Sequence, residues 1–545
     1  MSESSHLPSH PSFSPADPVN LSLPDVLSAD LSTGAPPLAW LRDAPYWLVA
    51  TAFHVLLLLL LGTIIVLEAP PEPTEVRTIV STLGPEPKYE APLPRDVVPR
   101  PEIPDLPVRE ENRVPRIQRS TKESAPRIVP VPAPSAVVGI WESSLTGADT
   151  LGPDRGRDGG VLPGASDSVE AALRWLVRHQ HPDGHWSSGG FHESCDVDAH
   201  GAPCGFAPGI EPPTAGDAGF AEFDVGVTAL ALLAFTGYGV THRDGPFPEF
   251  SAAVARGADW LRAQQLHSGD PALDGLLGTP PENAHEWIYN HAIATLALCD
   301  LLFVSRDSLR FRQPAEEAIG WCLRAQNPGY GWKYGVQTGK NDTSVTGWMV
   351  LALKSARACE GIRLLRLPAG ALEESLAGAL RWIDAATSSA SGLTGYESPG
   401  DDGSRLLSVH GDPYPFARNL SCMTAVGVLC RIIGGESRKS PAVRLGVAHL
   451  EEHAPEWRTT RGKRFATIHF YAWYYGSAAL YQAGGKAWEK WSEALREALV
   501  PNQRVGGCAD GSWDPLDEWG AAGGRVYSTA LAALTLEVLA RFARE

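Results

Sequence analysis

The segment from His192 to Cys204 is the part of the sequence richest in side chains that can do chemistry. It reads HESCDVDAHGAPC and holds two cysteines, two histidines and two aspartates. Thiolates and imidazoles are preferred zinc ligands, so Cys195, His200 and Cys204 are candidate metal ligands. Their spacing matches no standard zinc finger. A disulfide between Cys195 and Cys204 is the plainer interpretation, an unpaired loop is a third, and no cofactor is predicted.

A second group of reactive side chains lies where apolar helices rich in small residues are expected to begin. Asp224 and Asp342 stand just before such runs, so they are expected to be helix N-caps. A capping aspartate can still line a site. If these helix starts share one end of a barrel, they form a rim of aromatics, carboxylates and histidines, the composition of a binding pocket. The rim candidates are Asp224, Tyr289, His291, Asp342, Arg418, His469, Tyr471 and Trp473.

Two kinds of predicted helix alternate six times from residue 167 onward. One kind is amphipathic with a bulky residue at a constant place, as in EAALRWLVRHQ and ARGADWLRAQQ. The other is apolar on all sides and rich in small residues, as in DVGVTALALLAF and DTSVTGWMVLAL. A helix that is apolar all round is a buried helix, so the second kind should form an inner ring inside the first. The repeat predicts an all-α (α/α)6 toroid over residues 167–545.

Short motifs follow several of the amphipathic helices. The first repeat ends QHPDGHW, the third carries a looser version, and the last has DGSW with Gln503 further upstream. These motifs resemble the QW motif of squalene-hopene cyclases, and the chain resembles the terpenoid cyclase and protein prenyltransferase superfamily, that of the prenyltransferase/squalene oxidase repeat. In that family the Gln and Trp tie successive hairpins together. The resemblance implies this structural role for Gln180, Gly184, Trp186, Gln326, Trp332, Gly511 and Trp513.

The resemblance does not extend to the catalytic acid of those cyclases. They open an inner helix with D-x-D-D-T, where paired carboxylates hold a proton for an alkene or epoxide. The nearest match, Asn341-Asp342-Thr343-Ser344, lacks the second carboxylate, and Asp196-Val197-Asp198 lies in a loop. Cys299-Asp300 lacks the zinc-ligand spacing of protein prenyltransferases, and Gly507-Cys508-Ala509-Asp510 lacks the glutamine of thioester domains. The sequence therefore predicts the scaffold without class II cyclase chemistry.

The N-terminal part of the chain carries the features of a membrane tether. Residues 1–43 are rich in Ser, Pro and Asp and are expected to be disordered. Residues 45–67 carry no formal charge and are long enough to cross a bilayer. Residues 69–135 form a Pro-rich linker that favours polyproline II, and residues 136–166 are a Gly-rich lead-in. This layout predicts a single-pass bacterial membrane protein with its toroid on the extracytoplasmic, periplasmic side.

His54 lies inside the predicted span. An ionisable side chain within a membrane is a functional candidate. The segment also resembles the anchor of TonB-type energy transducers, which have a histidine in the membrane and a Pro/Glu stalk after it. Ala50 stands where that family has a serine. The resemblance implies energy coupling to a partner, and a neutral histidine bonded to backbone or to another helix is the alternative.

The charge balance disfavours nucleic acid as a partner. The formal net charge is -17, and no basic cluster is available to follow a phosphate backbone. Three functions remain: a binding or scaffold domain for an envelope partner or apolar ligand, an isoprenoid- or lipid-modifying enzyme, and a TonB-like energy-coupled protein. The cysteines within apolar helical stretches are expected to be small buried hydrophobes: Cys299, Cys322, Cys359, Cys422 and Cys430.

Overall fold

The computed structural model describes residues 164–200, 203–207, 219–280, 287–401, 416–459 and 467–541. These residues belong to one compact unit, Thr121–Glu545. They are helical, with isolated bridges and no strand among them, so the predicted all-α class is confirmed for this part of the chain. The predicted tail, membrane span and Pro-rich linker lie outside the described residues, as does most of the lead-in: 1–43, 45–67, 69–135 and 136–163.

Helices of two kinds alternate along the described chain, as the sequence predicts. The amphipathic helices are α1 (Ala165–Arg178), α3 (Pro248–Ala263), α5 (Ser308–Ala325), α7 (Ala371–Ala385), α9 (Pro441–Glu452) and α11 (Gly485–Leu499). The apolar helices are α2 (Asp224–Gly237), α4 (Trp287–Ser305), α6 (Thr343–Gly361), α8 (Phe416–Ile433), α10 (Phe470–Ala483) and α12 (Gly520–Arg541). The last of these has non-helical backbone at Gly524.

The apolar helices pack side by side in a closed series. Helix α2 contacts α4, and the contacts continue through α6, α8 and α10 to α12, which returns to α2. Each amphipathic helix packs on one of them: α3 on α2, α5 on α4, α7 on α6, α9 on α8, α11 on α10 and α1 on α12. The first helix therefore pairs with the last. We call the junction of α1 with α12 and with loop 500–519 the closing seam, because no chain connection crosses it.

Small residues let the inner helices approach one another closely. Gly347 of α6 lies against Val426 of α8, and a Cβ atom at Gly347 would come within 2.4 Å of the Val426 side chain. Thirteen of the fourteen residues of α2 are buried. Because a fully buried aliphatic side chain contributes about 1.5–3 kcal/mol, the inner ring supplies much of the core. This explains the Ala, Gly and Thr content of these helices.

The QW-like residues of the first repeat link α1 to the next outer helix. The side-chain amide of Gln180 donates to the carbonyl oxygen of Gly184 at 2.7 Å and to that of Ala253, on α3, at 2.9 Å. The indole of Trp186 donates to the carbonyl oxygen of Leu176 at 2.7 Å. One buried amide therefore ties its own turn to the following hairpin.

The third repeat makes the same set of bonds. Gln326 donates to the carbonyl oxygen of Tyr330 at 2.6 Å and to that of Ser375, on α7, at 2.8 Å. Trp332 donates to the carbonyl oxygen of Cys322 at 2.8 Å. These bonds match those of the first repeat, so the same hydrogen-bond pattern joins the hairpins in both places.

The last repeat makes the same pattern of hydrogen bonds across the closing seam. Gln503 donates to the carbonyl oxygen of Gly511 at 2.8 Å and to that of Ser168, on α1, at 2.8 Å. Trp513 donates to the carbonyl oxygen of Leu499 at 2.9 Å. Residues 503 and 168 are 335 positions apart, so this amide joins the last hairpin to the first.

One described helix, α4, is long and apolar enough to cross a membrane by length and composition. It is mostly buried, and it packs between α2 and α6. That setting is the one expected for a core helix of the ring. The span predicted at residues 45–67 lies outside the described residues and stays a prediction.

Candidate functional site

The N-terminal ends of the inner helices lie together at one end of the ring, which we call the mouth. At the start of α2, the Gly226 N–H donates to the Asn290 side-chain oxygen near the start of α4 at 3.1 Å. The hydroxyl oxygens of Ser344 on α6 and Tyr471 on α10 lie 2.9 Å apart. These inner helices therefore run in the same direction, and their first residues share one surface.

Asp342 caps α6 at the mouth. Its Oδ1 accepts a hydrogen bond from the Val345 N–H at 2.7 Å, which confirms the predicted N-cap. The side chain is fully buried, and its Oδ2 makes no hydrogen bond of good geometry with the described residues, although the Tyr396 side chain acts on this carboxyl. Burial raises the pKa of Asp342 to about 7, against the opposing effects of the Val345 bond, of Lys333 and of the Tyr396 hydroxyl. Near neutral pH this carboxyl therefore holds its proton much of the time.

Four tyrosines, which we call the tyrosine group, adjoin Asp342: Tyr289, Tyr334, Tyr396 and Tyr471. The rings of Tyr289 and Tyr334 lie 6.4 Å apart, and the Tyr334 and Tyr396 hydroxyls contact each other. All but Tyr471 keep partial exposure. Burial, followed by the neighbouring acidic groups, raises the pKa of Tyr289 and of Tyr396. The phenols therefore stay protonated and can donate hydrogen bonds.

Aromatic side chains fill the ring interior next to the tyrosine group. Trp348 of α6 stacks on Tyr471 at a centroid distance of 5.9 Å and on Tyr474 at 5.6 Å. Tyr475 meets the same indole edge-on at 5.4 Å. Helix α8 separates α6 from α10 in the ring order, so these contacts cross the interior. Trp348, Tyr474 and Tyr475 are 3%, 1% and 0% exposed, so aromatic side chains fill this part of the ring interior.

A carboxylate–histidine group, made of His469, Asp517 and Glu518, lies beside Tyr471. His469 caps α10, and its Nδ1 accepts from the Ala472 N–H at 3.2 Å. Its Nε2 lies 2.8 Å from Glu518 Oε1, with both side chains nearly fully buried. Because Nδ1 is an acceptor, the imidazole proton belongs on Nε2, facing the carboxylate.

Asp517 completes the carboxylate–histidine group. Its Oδ2 accepts hydrogen bonds from the Phe470 N–H and from the Tyr527 hydroxyl, both at 3.0 Å. Burial first, and then the adjacent Glu518 charge, raise the pKa of Asp517 to about 7, while His469 opposes the shift. A buried carboxyl whose pKa is raised by burial and by a neighbouring carboxylate is an arrangement used for acid–base chemistry.

Two of the predicted rim residues lie away from the tyrosine group. Asp224 accepts from the backbone N–H and the hydroxyl of Ser188, both at 2.7 Å, and makes no side-chain cap on its own helix. His291 faces the outer helix α5, where its Nδ1 accepts from the Leu277 N–H at 3.0 Å and its Nε2 lies 3.2 Å from the Ala318 carbonyl oxygen. Both side chains therefore bind structural segments of the ring.

The other predicted site residues fall in different places. Trp473 is buried against Trp457 and Phe470, and the side chain of Arg418 lies outside the described part of the chain. His200 is exposed at the end of the short helix Val197–His200. Cys195 and Cys204 are both free thiols, and the five cysteines predicted to be buried in helices are buried.

Comparisons with known proteins give distant structural similarity alone. No family model matches the sequence, and no curated protein matches it. A type II terpene cyclase, MstE from Scytonema in complex with merosterolic acid A, shares 14% identity over 69% of this chain and 97% of its own, with a TM-score of 0.40. An α-1,6-mannanase from Salegentibacter shares 11% identity over 69% of this chain and 99% of its own, with a TM-score of 0.41.

A protein from Actinoplanes is similar at the same level, with 14% identity over 69% of this chain and 99% of its own and a TM-score of 0.38. Similarity this distant assigns neither a family nor an activity to the chain. The chemistry of the mouth must be derived from its own residues. These offer two carboxyls that hold protons near neutral pH, four phenols and a packed aromatic wall.

Proposed function

We propose that this chain is a membrane-tethered (α/α)6 toroid that binds an apolar ligand at its mouth, without class II cyclase chemistry. The observation that carries the proposal is the buried Oδ2 of Asp342, which makes no hydrogen bond of good geometry and lies beside partly exposed tyrosines, Tyr396 among them. A buried polar atom without a partner costs about 1–3 kcal/mol. A ligand hydroxyl or carbonyl at Oδ2 would recover that free energy, so this atom is the expected anchor of the ligand.

The chemistry of the mouth supports a ligand with an apolar body and one polar end. Small-molecule sites combine mostly apolar and aromatic walls with a few convergent polar groups. Here the rings of Tyr289, Tyr334 and Tyr396 supply the walls, and Asp342 supplies the polar contact. Lys333 is engaged with Glu397 in an ion pair, which favours an uncharged polar end over an anionic one.

Two features support binding over class II cyclisation. One oxygen of Asp342 is occupied by the helix cap, and no second carboxylate hydrogen-bonds to Asp342 in the part of the chain that the structure describes. The stack of Trp348 on Tyr474 occupies the interior in which a folded polyene would have to lie. The span proposed at residues 45–67 would attach the chain to a bilayer, which is a source of apolar ligands.

The test is native mass spectrometry of the full chain, purified from its own host membranes, followed by lipid extraction. Asp342→Ser removes Oδ2 but keeps a good N-cap, and Tyr330→Phe on the exposed surface is the control. We expect one lipid or isoprenoid per chain in the wild type and the control, and its loss in Asp342→Ser. A chain that carries a protein partner and no lipid would contradict ligand binding and favour the envelope scaffold.

The carboxylate–histidine group supports a second candidate function, an isoprenoid- or lipid-modifying enzyme. Asp517, His469 and Glu518 provide a buried acid next to a base. Protonation of an alkene by such an acid would place a solvent hydrogen on carbon. Incubation of the full chain with host lipids in heavy water would then give carbon-bound deuterium with the wild type and none with Asp517→Asn. Equal labelling in both would remove this candidate.

A TonB-like energy-coupled function rests on His54 and on the Pro-rich linker, both outside the described residues. It is tested in cells with His54→Ala, which should weaken association with a membrane partner. Unchanged association would remove its support.

A further inference from the structure

Four zinc-ligand side chains meet at the closing seam. His179 directly follows α1, Cys195 follows the short turn Phe191–Ser194, and Cys204 lies in the segment 203–207. Cys508 comes from the other end of the chain, in the loop before α12. One donor atom from each of the four lies within 4.8 Å of the others.

The distances suit a shared metal better than hydrogen bonding. The Nε2 atom of His179 lies 3.2 Å from Cys508 Sγ, 3.2 Å from Cys204 Sγ and 3.6 Å from Cys195 Sγ. Bond lengths of about 2.3 Å to sulfur and about 2.0–2.1 Å to nitrogen in a tetrahedral zinc site separate these atoms by about 3.5 Å. One imidazole nitrogen has a single proton or lone pair, so it cannot hydrogen-bond to three thiols at once.

We propose that His179, Cys195, Cys204 and Cys508 bind one Zn²⁺ in a closed site of three cysteines and one histidine. Three of the four side chains are buried and Cys195 is half-buried. Four protein ligands leave no position for water or substrate, which is the arrangement of structural zinc rather than catalytic zinc. The partial exposure of Cys195 provides the side from which the ion enters.

Groups around the four ligands are oriented for metal binding. The Nδ1 of His179 lies 2.9 Å from the Trp175 carbonyl oxygen. A proton on Nδ1 donates to that carbonyl and leaves the Nε2 lone pair directed at the three sulfurs. The buried indole N–H of Trp175 makes no hydrogen bond of ordinary geometry and lies near the Cys204 sulfur. This donor would stabilise a thiolate at that position.

Two arginines, of which Arg525 is buried and Arg504 is partly exposed, hold the Cys204 segment in place and balance its charge. Arg525 donates to the Gly205 carbonyl oxygen at 3.1 Å and to Asp514 at 2.7 Å, and it is fully buried. Arg504 donates to the same carbonyl oxygen at 3.1 Å. Three thiolates around Zn²⁺ carry a net charge of about -1, and Arg504 and Arg525 offset it, because together they carry one positive charge more than the Asp514 carboxylate that they share. The segment is therefore fixed against the C-terminal loop before any metal binds.

The proposed site acts where the ring has no covalent connection. His179 and Cys508 are 329 positions apart, and between them runs the whole ring. The other hairpin junctions are joined by the chain itself, whereas the closing seam depends on contacts such as that of Gln503 with Ser168. A metal bond across it would lower the entropy of the open ring and add binding free energy to folding.

The test uses the full chain, purified in detergent without chelators, with zinc measured by plasma mass spectrometry. We expect one zinc per chain in the wild type and in Cys430→Ser, a buried cysteine of α8 remote from the four ligands, and less than a tenth of that in Cys508→Ser. Because Cys508→Ser can also fail to fold, a mercurial thiol reagent is added to the wild type, where it should release the ion stoichiometrically. Replacement by Co²⁺ should give the visible absorption of tetrahedral cobalt thiolate.

Two results would overturn the proposal. One is a wild-type chain without zinc whose melting temperature is unchanged by added Zn²⁺ or by a chelator. The other is a Cys195–Cys204 disulfide, found by mass spectrometry after alkylation of the freshly isolated protein, because it would consume two of the four ligands.

Discussion

The hydroxyl oxygens of Ser344 and Tyr471 lie 2.9 Å apart, although α8 separates their two helices in the ring. This bond crosses the ring at the mouth. It connects the tyrosine group around Asp342 to the side of the ring that carries His469, whose imidazole lies 6.4 Å from the Tyr471 ring. Asp342 and Asp517, the two carboxyls with a raised pKa, therefore lie beside the same group of aromatic side chains.

Tyr471→Phe should break this cross-ring bond and leave the aromatic packing in place. We expect a loss of about 1 kcal/mol in the free energy of unfolding and faster amide exchange at the start of α6. Hydrogen exchange and urea unfolding of the full chain measure both, with Tyr330→Phe on the surface as the control. An unchanged exchange rate at α6 would show that the hydroxyl pair does not hold the mouth together.

Asp342→Asn should change how stability depends on pH. Burial raises the pKa of Asp342 in the folded chain from its usual 3.8 to about 7, so the folded state binds more protons than the unfolded state between these values. Stability therefore falls as pH rises through that window, by up to about 4 kcal/mol at about 1.4 kcal/mol per pH unit. Asn does not titrate and still caps the helix.

The measurement is the free energy of unfolding of wild type and Asp342→Asn from pH 4 to pH 8. The free energy of unfolding of Asp342→Asn minus that of the wild type should grow as pH rises. Asp517 titrates in both proteins, so its contribution cancels in this difference. Parallel curves would mean that Asp342 ionises normally in the folded chain.

Glu518→Gln should lower the pKa of Asp517. The Glu518 charge is the second cause of that raised pKa after burial, so its removal makes ionisation of Asp517 easier. Infrared spectroscopy follows the carbonyl stretch of the protonated acid as a function of pH. We expect this band to disappear at a lower pH in Glu518→Gln, with Asp517→Asn identifying the band. A shift to higher pH would contradict the coupling of the two carboxylates.

Gln503→Ala should open the closing seam. The change removes two partly buried hydrogen bonds, worth about 1–3 kcal/mol together. Gln326→Ala is the matched control, because it removes the equivalent bonds at a junction that the chain also connects. We expect faster amide exchange in α1 for Gln503→Ala alone. Equal amide exchange rates in α1 for Gln503→Ala and Gln326→Ala would show that the seam is no weaker than the other junctions.

Gly511→Ala should destabilise the same seam by steric conflict. Gly511 has φ +93°, and a Cβ atom there would lie 2.2 Å from the Ala171 carbonyl oxygen of α1. The backbone must shift, so we expect a loss of more than about 2 kcal/mol. Gly361→Ala, at the end of α6 with no atom within 4 Å of its Cβ, should change the melting temperature little. Similar melting temperatures for both variants would contradict the predicted contact.

Helix periodicity made the ring predictable, since the two kinds of helix differ in composition along their whole length. It did not predict which way each side chain points. Tyr289 and His291 were both expected at the rim, but residues two positions apart on a helix differ by about 200°. Tyr289 therefore faces the mouth while His291 faces α5. Local spacing also does not predict the hydrogen bond of Gln265, whose side-chain amide donates to the Pro314 carbonyl oxygen at 2.9 Å.

Contacts between distant segments could not be predicted from local patterns. The sequence around His179 predicts the end of an amphipathic helix, and that around Cys508 predicts a glycine-rich turn. The two residues are 329 positions apart. Tyr334 and Tyr396 lie in loops, where no periodicity identifies a buried face. For Asp517 and Glu518 the sequence does carry a signal, because two adjacent acids stand just before the last small-residue helix.

Because the first helix of the ring pairs with the last, a force on the chain acts on one junction before the others. The chain enters at α1, which is held by Gln503, by contacts with α12 and by the segment around His179. A pull on the chain ahead of Ala165 would load these contacts first and would leave the other hairpins unstressed. Under tension the ring would open from α1, one hairpin at a time, so the strength of the seam sets the force that the ring can bear.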